Sequence, residues 1–358
     1  MKSLLKWPGG KERELAEIFR YMPDYSGRYI EPFVGGGAVY FAQNNHKCLI
    51  NDKSRELINL YTCVKNQDPD FINQLWKFQQ EFSSLGNFAE NYSQDLLVLY
   101  QGDLDPDAFI RKHDEVFLPM ADLNSPVFIS ELRRNLTSKI KRTRKLEIIQ
   151  GELSPQDRIT NLEGALKSSY YMYIRHLLNN PEPLSPGKQA SVFFFIREFC
   201  YSSMFRYSSR GKFNVPYGGI SYNRKDFARK ISELLGKDTA QRLNSTQICN
   251  LDFEDFLKKI NPAEDDFIFL DPPYDSEFST YAENTFDRQE QIRLFNYLKK
   301  TPARIMLVIK NTDFIYDLYH QDFNIQSFDK TYAVSFKNRN QRNVKHLLIT
   351  NYETKCHI

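Results

Sequence analysis

Apolar positions along this chain change period several times, and the changes divide it. Near the start, Leu15, Ile18, Phe19 and Met22 recur at helical spacing after a turn at Pro8-Gly9-Gly10. RYIEPF then has the pattern of a strand running into the glycine cluster VGGGAVYF. KCLIND follows as a second strand and RELINLYTCVK as a helix. This strand-helix-strand rhythm predicts a parallel α/β sheet. From about residue 60 to 180 the rhythm gives way to mostly helical, polar sequence. Turns are predicted there at SSLGN, GDLDPDA and NSP, followed by the proline-rich link NNPEPLSPGK. Alternation returns later, with TQIC, FIFL, RIMLVI and KHLLIT as strands and RQEQIRLFNYLKK as an intervening helix. The pattern predicts an α/β domain formed by residues 1–56 and 227–358. An insertion over 57–226 interrupts it, mostly helical, with a β-hairpin near 206–224.

A chain of 358 residues is long enough for one large core and a second domain. Its net charge of +3 is too small to argue for nucleic acid by itself. The five cysteines, at 48, 63, 200, 249 and 356, are scattered and never spaced as CxxC, so neither a disulfide framework nor a zinc site is expected. The histidines form no HExxH, and no metal is expected. The apolar residues after Met1 stop within a few positions, and no run of about 18 apolar residues occurs. The expectation is a reduced, cytoplasmic, soluble protein with no membrane partner.

Three stretches carry candidate chemistry. In EPFVGGG, Gly35 and Gly37 follow a strand and precede a helix, where a ligand can approach the backbone closely. The stretch is not the dinucleotide fingerprint, because Tyr40 stands where its third glycine belongs. A tight strand-to-helix turn is the plain alternative. Asp52, just after the second strand, is placed to bind ribose hydroxyls, although taken alone an aspartate there is more often a solvated loop residue. WPGGK fails as a phosphate loop, since Leu5 replaces the first glycine and Glu12 the Ser or Thr. Trp7 and Lys11 remain candidates for stacking and charge near a ligand, with a core anchor as the alternative for Trp7.

The third stretch is DPPY, at the end of the buried run FIFL. The exocyclic amine of a base attacks poorly, because its lone pair is delocalised into the ring. Two acceptors on its hydrogens would draw that pair out of conjugation. The Asp271 carboxylate and the Pro272 carbonyl are suited to this, with Pro272 and Pro273 stiffening the backbone and Tyr274 stacking on the base. The methyl of a sulfonium would be the electrophile, delivered in line. A strand ending in a proline turn, with Tyr274 as packing, is the alternative.

Taken in order, LLKWPGGK, YIEPFVGGGAVYF, FRYSSRGKFNVPYG and DPPY resemble the Dam-like (D12 class) adenine-N6-specific DNA methyltransferases. The resemblance covers residues 1 to about 65 and about 195 to the end. It implies a Rossmann-like S-adenosylmethionine-dependent methyltransferase sheet with a target-recognition insertion. The implied activity is transfer of a methyl group from S-adenosyl-L-methionine to adenine flipped out of double-stranded DNA. Trp7, Lys11, Asp52 and Asp271 match the family's cofactor positions. Glu31, Phe33, Gly35 and Gly37 belong to the same expected cofactor site, and Asp252 and Phe253 match a cofactor-adenine contact. Asp271, Pro272, Pro273 and Tyr274 match the catalytic motif. Lys6, Tyr201, Arg206 and Pro216 match positions used on DNA. Ser202 and Met204 depart from the Asn and Leu of GATC-specific members, so the target sequence stays open. A functional pairing with a restriction endonuclease is a further expectation.

Related tetrapeptides serve methylation of cytosine N4, RNA adenine or protein glutamine, and an inactive DNA-binding module of the same fold is another alternative. The basic run ELRRNLTSKIKRTRKLE, with Arg133, Arg134, Lys139, Lys141, Arg142, Arg144 and Lys145, suits phosphates without reading sequence, or is a solvated helix face. Arg206, beside the expected hairpin, suits a two-pronged bond to guanine.

Overall fold

The structure is a computed structural model describing residues 1–44, 47–273, 286–331 and 343–354. The apolar runs become strands β1 (Tyr29–Glu31), β2 (Cys48–Asn51), β3 (Thr246–Cys249), β4 (Phe267–Leu270), β5 (Arg304–Lys310), β6 (Asn324–Thr331) and β7 (Asn343–Thr350). They form one sheet in the order β3-β2-β1-β4-β5-β7-β6. The first four pairings are parallel, and β7 runs antiparallel to both β5 and β6. Every residue of β1, β2 and β4 is buried, as expected of strands covered on both faces. β6 is absent from the expected strands. It is one of the two edge strands, and its two apolar residues, Ile325 and Phe328, are too sparse among polar ones to mark a run.

Two compact units divide the chain, 1–66 with 236–358, and 67–235. The junctions fall after the expected 56/57 and 226/227. In the sheet unit, α1 (Leu15–Tyr21), α2 (Ala38–Ala42) and α3 (Arg55–Asn66) come first. Helix α3 stays with the sheet because Lys65 donates to the Thr246 carbonyl at 2.7 Å and Leu57, Leu60, Tyr61 and Val64 are fully buried. The chain leaves the sheet unit after α3 and returns to it before β3.

The other unit is built from α4 (Pro69–Asn91), α5 (Ser93–Gln101), α6 (Pro106–Lys112), α7 (Asp114–Phe117), α8 (Ser125–Gln150), α9 (Pro155–Leu178), α10 (Pro186–Phe199) and α11 (Phe227–Leu234). Its long helices share one start signal, a polar cap followed by proline in the first turn. Asp68, Asn124, Ser154 and Ser185 each accept from a backbone N–H of the first turn. The expected turn at NSP and the end of the proline-rich link are therefore helix starts. SSLGN is not a turn at all, since Ser83–Asn87 lie inside α4. There Gly86 allows close packing: an added Cβ would sit 3.2 Å from the Lys167 ammonium. The core is aromatic, with Phe82 4.4 Å from Phe199 and Phe78 5.6 Å from Phe195 between ring centroids.

After this unit, α12 (Lys237–Asn244), α13 (Phe253–Ile260), α14 (Arg288–Leu298) and α15 (Asp313–Tyr319) complete the sheet unit. The strand order places β1 beside β4, with β2 and β3 on one side and β5 on the other. This is a topological switch point, the position at which open α/β sheets bind ligands beyond the strands' carboxyl ends. Arg28 fastens the amino ends of the same two strands, its backbone N–H donating to Asp266 at 2.6 Å and its Nε at 3.0 Å. Burial alone would raise the Asp266 pKa, but Arg28 and backbone N–H donors hold it below the usual carboxylate range.

Candidate active site

At the switch point β1 ends in Glu31 and β4 is followed by Asp271. Lys11, only 1% exposed, places its ammonium against the Asp271 carboxylate and donates to the Gly9 carbonyl at 3.0 Å. A buried cation thus fixes the first residue of the DPPY segment. Pro272 is buried and Pro273 exposed. Tyr274 lies outside the described residues.

Glu31 is buried, and its carboxyl accepts from the Tyr29 hydroxyl at 2.6 Å. Burial raises its pKa well above the usual glutamate value, and the nearby charges of Asp271 and Asp52 raise it further. Three carboxyl groups thus share one electrostatic neighbourhood. The unfolded chain releases the Glu31 proton near the ordinary value of 4.5, whereas the folded protein keeps it to higher pH. Glu31 therefore lowers stability progressively as pH rises from the first value through the second. Glu31→Gln removes that dependence. In thermal melts the variant should gain on the wild type as pH rises above about 5. A difference that stays flat or shrinks with rising pH would show that Glu31 is ionised in the folded protein.

The glycine loop after β1 is held from both ends of the chain's local order. Gly35 has φ of 49°, and an added Cβ would lie 2.7 Å from the Trp7 ring. Gly37, at φ of 75°, precedes α2, and a Cβ there would lie 2.6 Å from the Tyr61 hydroxyl. That hydroxyl donates to the Gly35 carbonyl at 3.0 Å. Asp52 accepts from the Gly35 N–H at 3.0 Å and from the Ser54 N–H at 2.9 Å. Burial raises its pKa against these backbone bonds. Asn51 links three strand ends, donating to the Pro32 and Leu251 carbonyls at 3.1 and 3.0 Å.

Beyond β3, Asp252 caps α13 through the Glu254 N–H and accepts from Arg293 at 2.7 Å. Phe253 is 4% exposed, lies under the Arg293 guanidinium, and packs 5.5 Å from Phe33. Trp7, Lys11, Glu31, Gly35, Gly37, Asp52 and Asp271 therefore gather around the ends of β1, β2 and β4. Phe33, Asp252 and Phe253 form an adjoining aromatic and ion-paired cluster. Lys6 is exposed in the same unit.

In the other unit, Tyr201, Arg206 and Pro216 share one exposed element. Tyr201 donates its N–H to the Pro216 carbonyl at 2.9 Å, and isolated antiparallel bridges pair Cys200 with Tyr217 and Tyr207 with Phe213. The expected hairpin near 206–224 is thus shifted and shortened. Its turn lies at 208–211, with Gly211 at φ of 70°, its inner arm ends at Tyr217, and Ile220–Tyr222 form a 3-10 turn. Helix α9 grips the inner arm, with Asn179 bonded to both the N–H and the carbonyl of Phe213 and Tyr171 donating to the Val215 carbonyl. Arg206 is exposed, but Asn214 occupies one edge of its guanidinium at 2.7 and 3.0 Å. A two-pronged base contact has to use the other edge. In α8, Arg133 pairs with Asp107, Arg134 with Glu131, and Arg144 reaches the Tyr100 carbonyl. Lys141, Arg142 and Lys145 are exposed.

Among the described residues, no helix is long and apolar enough to cross a membrane, and no group of His, Cys, Asp or Glu is arranged to hold a metal ion. The sequence model of the D12 class N6 adenine-specific DNA methyltransferases matches residues 7–116 and 135–334. The chain belongs to this family. It is similar to the type II methyltransferase M.CviBI of Paramecium bursaria Chlorella virus NC1A, with 26% identity over 98% of this chain and 100% of the relative. The type II methyltransferase M.MjaIII of Methanocaldococcus jannaschii is 26% identical over 98% and 99% of the two chains. The DNA adenine methylase of Haemophilus influenzae is 23% identical over 87% and 80%. The protein is thus an adenine-specific DNA methyltransferase, acting on DNA with a methyl donor.

Two polar side chains of this methyltransferase escape its sequence pattern. Gln291 of α14 is fully buried and donates to the Pro273 carbonyl at 3.1 Å, while its own carbonyl oxygen has no partner among the described residues. It holds the backbone of the DPPY segment, and nothing local in RQEQIRL marks it. Arg197 is 2% exposed near the end of α10. Its signal was present as a lone cation in the apolar run FFFIREF.

Proposed function

We propose that the enzyme takes its methyl group from S-adenosylmethionine and delivers it to an adenine turned out of double-stranded DNA into the crevice at the ends of β1 and β4. The observation that carries this is the meeting of the Lys11–Asp271 pair with the glycine loop at the switch point of the sheet.

The residues present fit the cofactor. Gly35 and Gly37 lack side chains where a Cβ would strike Trp7 or Tyr61, so the loop packs closely on those rings in the left-handed form that shapes the site. Asp52 follows β2, and a carboxylate that accepts two backbone N–H groups retains lone pairs for ribose hydroxyls. A cation bound beside Glu31, Asp52 and Asp271 would favour the ionised forms of these carboxyl groups over the protonated ones. When bound, S-adenosylmethionine supplies an electrophilic methyl whose bond to sulfur breaks as the bond to the adenine nitrogen forms, the sulfur keeping the electron pair.

Asp271 accepts an amine hydrogen and Lys11 fixes its direction. Pro272 offers its carbonyl to the second hydrogen, and Gln291 steadies the backbone one residue on. Asp271 also draws off the proton that the amine sheds after transfer. Tyr274 stacks on the base. Trp7, Phe33, Asp252 and Phe253 border the cofactor. Residues 67–235 serve as the target-recognition unit. Tyr201, Arg206 and Pro216 meet the duplex, Lys6 contributes from the sheet unit, and Lys141, Arg142 and Lys145 lie along phosphates. Pairing with a restriction endonuclease belongs to the same proposal, supported by relatives named type II methyltransferases.

Calorimetric titration with S-adenosylmethionine tests the cofactor site. The wild type should bind, and Asp52→Ala should bind at least about tenfold more weakly, as expected for loss of charge-assisted hydrogen bonds. Equal affinity would remove Asp52 from the site, and no binding by the wild type would remove the cofactor.

A further inference from the structure

Between the two bridges of the hairpin the chain does not run straight. The inner arm goes directly from Asn214 to Pro216, while the opposing arm makes an excursion from Tyr201 to Arg206. Within it Ser202 and Ser203 both adopt φ of 51°, a left-handed conformation that disfavours side chains other than glycine. Two successive strained residues persist only where their surroundings over-determine them.

Arg197 supplies that constraint. Its guanidinium donates to the Ser203 carbonyl at 2.6 Å and to the Met204 carbonyl at 2.8 Å, and lies 3.6 Å from the centroid of the Phe205 ring. The Tyr222 hydroxyl accepts from the Ser202 N–H at 3.2 Å and holds the other end. The two carbonyls turn inward onto the buried cation. Tyr201, Ser202 and Arg206 remain exposed on either side of them. Only arginine combines a planar two-pronged donor with ring stacking. Lysine in its place would keep the charge and lose the geometry.

We propose that Arg197 is a positioning residue for target-sequence discrimination: by holding the excursion 202–205 in its strained form, it fixes the register in which Tyr201, Ser202 and Arg206 meet the bases. The proposal rests on residues 201–217 facing DNA. It differs from that assignment in placing control of the target in a buried side chain that touches no base.

The test compares the wild type, Arg197→Lys, Arg206→Ala and Phe205→Leu on the target site, identified by modification-aware sequencing of DNA methylated by the wild type, and on duplexes carrying single base-pair changes. Arg197→Lys should lose at least tenfold in the ratio of kcat/KM between target and altered duplexes, at more than one base pair. Its affinity for S-adenosylmethionine should match the wild type, which a general loss of structure would not leave intact. Adding Ser202→Gly and Ser203→Gly to Arg197→Lys should restore part of the discrimination, because glycine adopts positive φ without help. Unchanged discrimination in Arg197→Lys, with Arg206→Ala relaxed, would overturn the proposal and leave the hairpin on DNA. Unchanged discrimination in both would overturn the hairpin assignment as well. If Arg197→Lys fails to fold, Phe205→Leu decides: it removes the stack alone, and a several-fold loss of discrimination supports the proposal whereas none overturns it.

Discussion

Asp271→Asn should lower the single-turnover rate of methyl transfer roughly 10³-fold at saturating cofactor, the scale of removing one preorganised hydrogen-bonding group that acts in the transition state. The carboxylate stands at the end of β4 with the Lys11 ammonium against it. Asparagine keeps the shape, but turns half of an acceptor into a donor where an amine hydrogen must be received. DNA affinity should persist, because the loss falls on the chemical step. Asparagine is a better probe than alanine. Lys11 is 1% exposed, and either substitution removes the charge opposite it, but asparagine keeps a carbonyl oxygen for the ammonium, whereas alanine removes the acceptor too, at a cost of about 3–5 kcal/mol that would confuse unfolding with lost chemistry. A rate for Asp271→Asn within tenfold of the wild type would separate Asp271 from the chemical step.

The second large effect is expected at the glycine loop. Gly37→Val puts a β-branched residue at φ of 75°, with its Cβ 2.6 Å from the Tyr61 hydroxyl and 2.9 Å from the Phe41 ring. Left-handed backbone costs a branched residue about 1–2 kcal/mol, and overpacking adds about 1–3 kcal/mol. Displacing Tyr61 also removes the bond that holds the Gly35 carbonyl, so the loop loses the shape against which Trp7 packs. Binding of S-adenosylmethionine should fall at least about 100-fold, about 2.7 kcal/mol, in protein shown by circular dichroism to be folded at low temperature. A folded variant that binds as the wild type does would mean that the loop is only a turn.

The sheet was legible in the sequence because its strands are short apolar runs bounded by breakers, as in Phe267–Leu270 before two prolines. β6 was not, because it pairs antiparallel, a setting in which one face can stay open to water, and its apolar residues Ile325 and Phe328 are only half-buried. The turn expected at Ser83–Asn87 illustrates a different failure. Gly86 has the composition of a breaker but sits in α4, where an added Cβ would lie only 3.2 Å from the Lys167 ammonium. Asp52, Lys11 and Asp271 were legible as single candidates from their places after strands and in motifs. Their meeting was not, since Lys11 and Asp271 are separated by most of the chain and are joined by the parallel order of β1 and β4. Gln291 and Arg197 act through carbonyl oxygens, and a carbonyl has no sequence signature. Only tertiary structure reveals which backbone groups need a buried donor.

The crevice at the ends of β1 and β4 is the proposed place where the exocyclic amine of adenine in DNA is methylated. The most direct measurement incubates the wild type with duplex DNA and isotopically labelled S-adenosylmethionine, digests the DNA to nucleosides, and identifies the labelled base by mass. Label should appear in N6-methyladenine, and none should appear when Asp271→Asn replaces the wild type over the same interval. Label in a methylated cytosine, or in N6-methyladenine at equal yield with Asp271→Asn, would contradict this proposal.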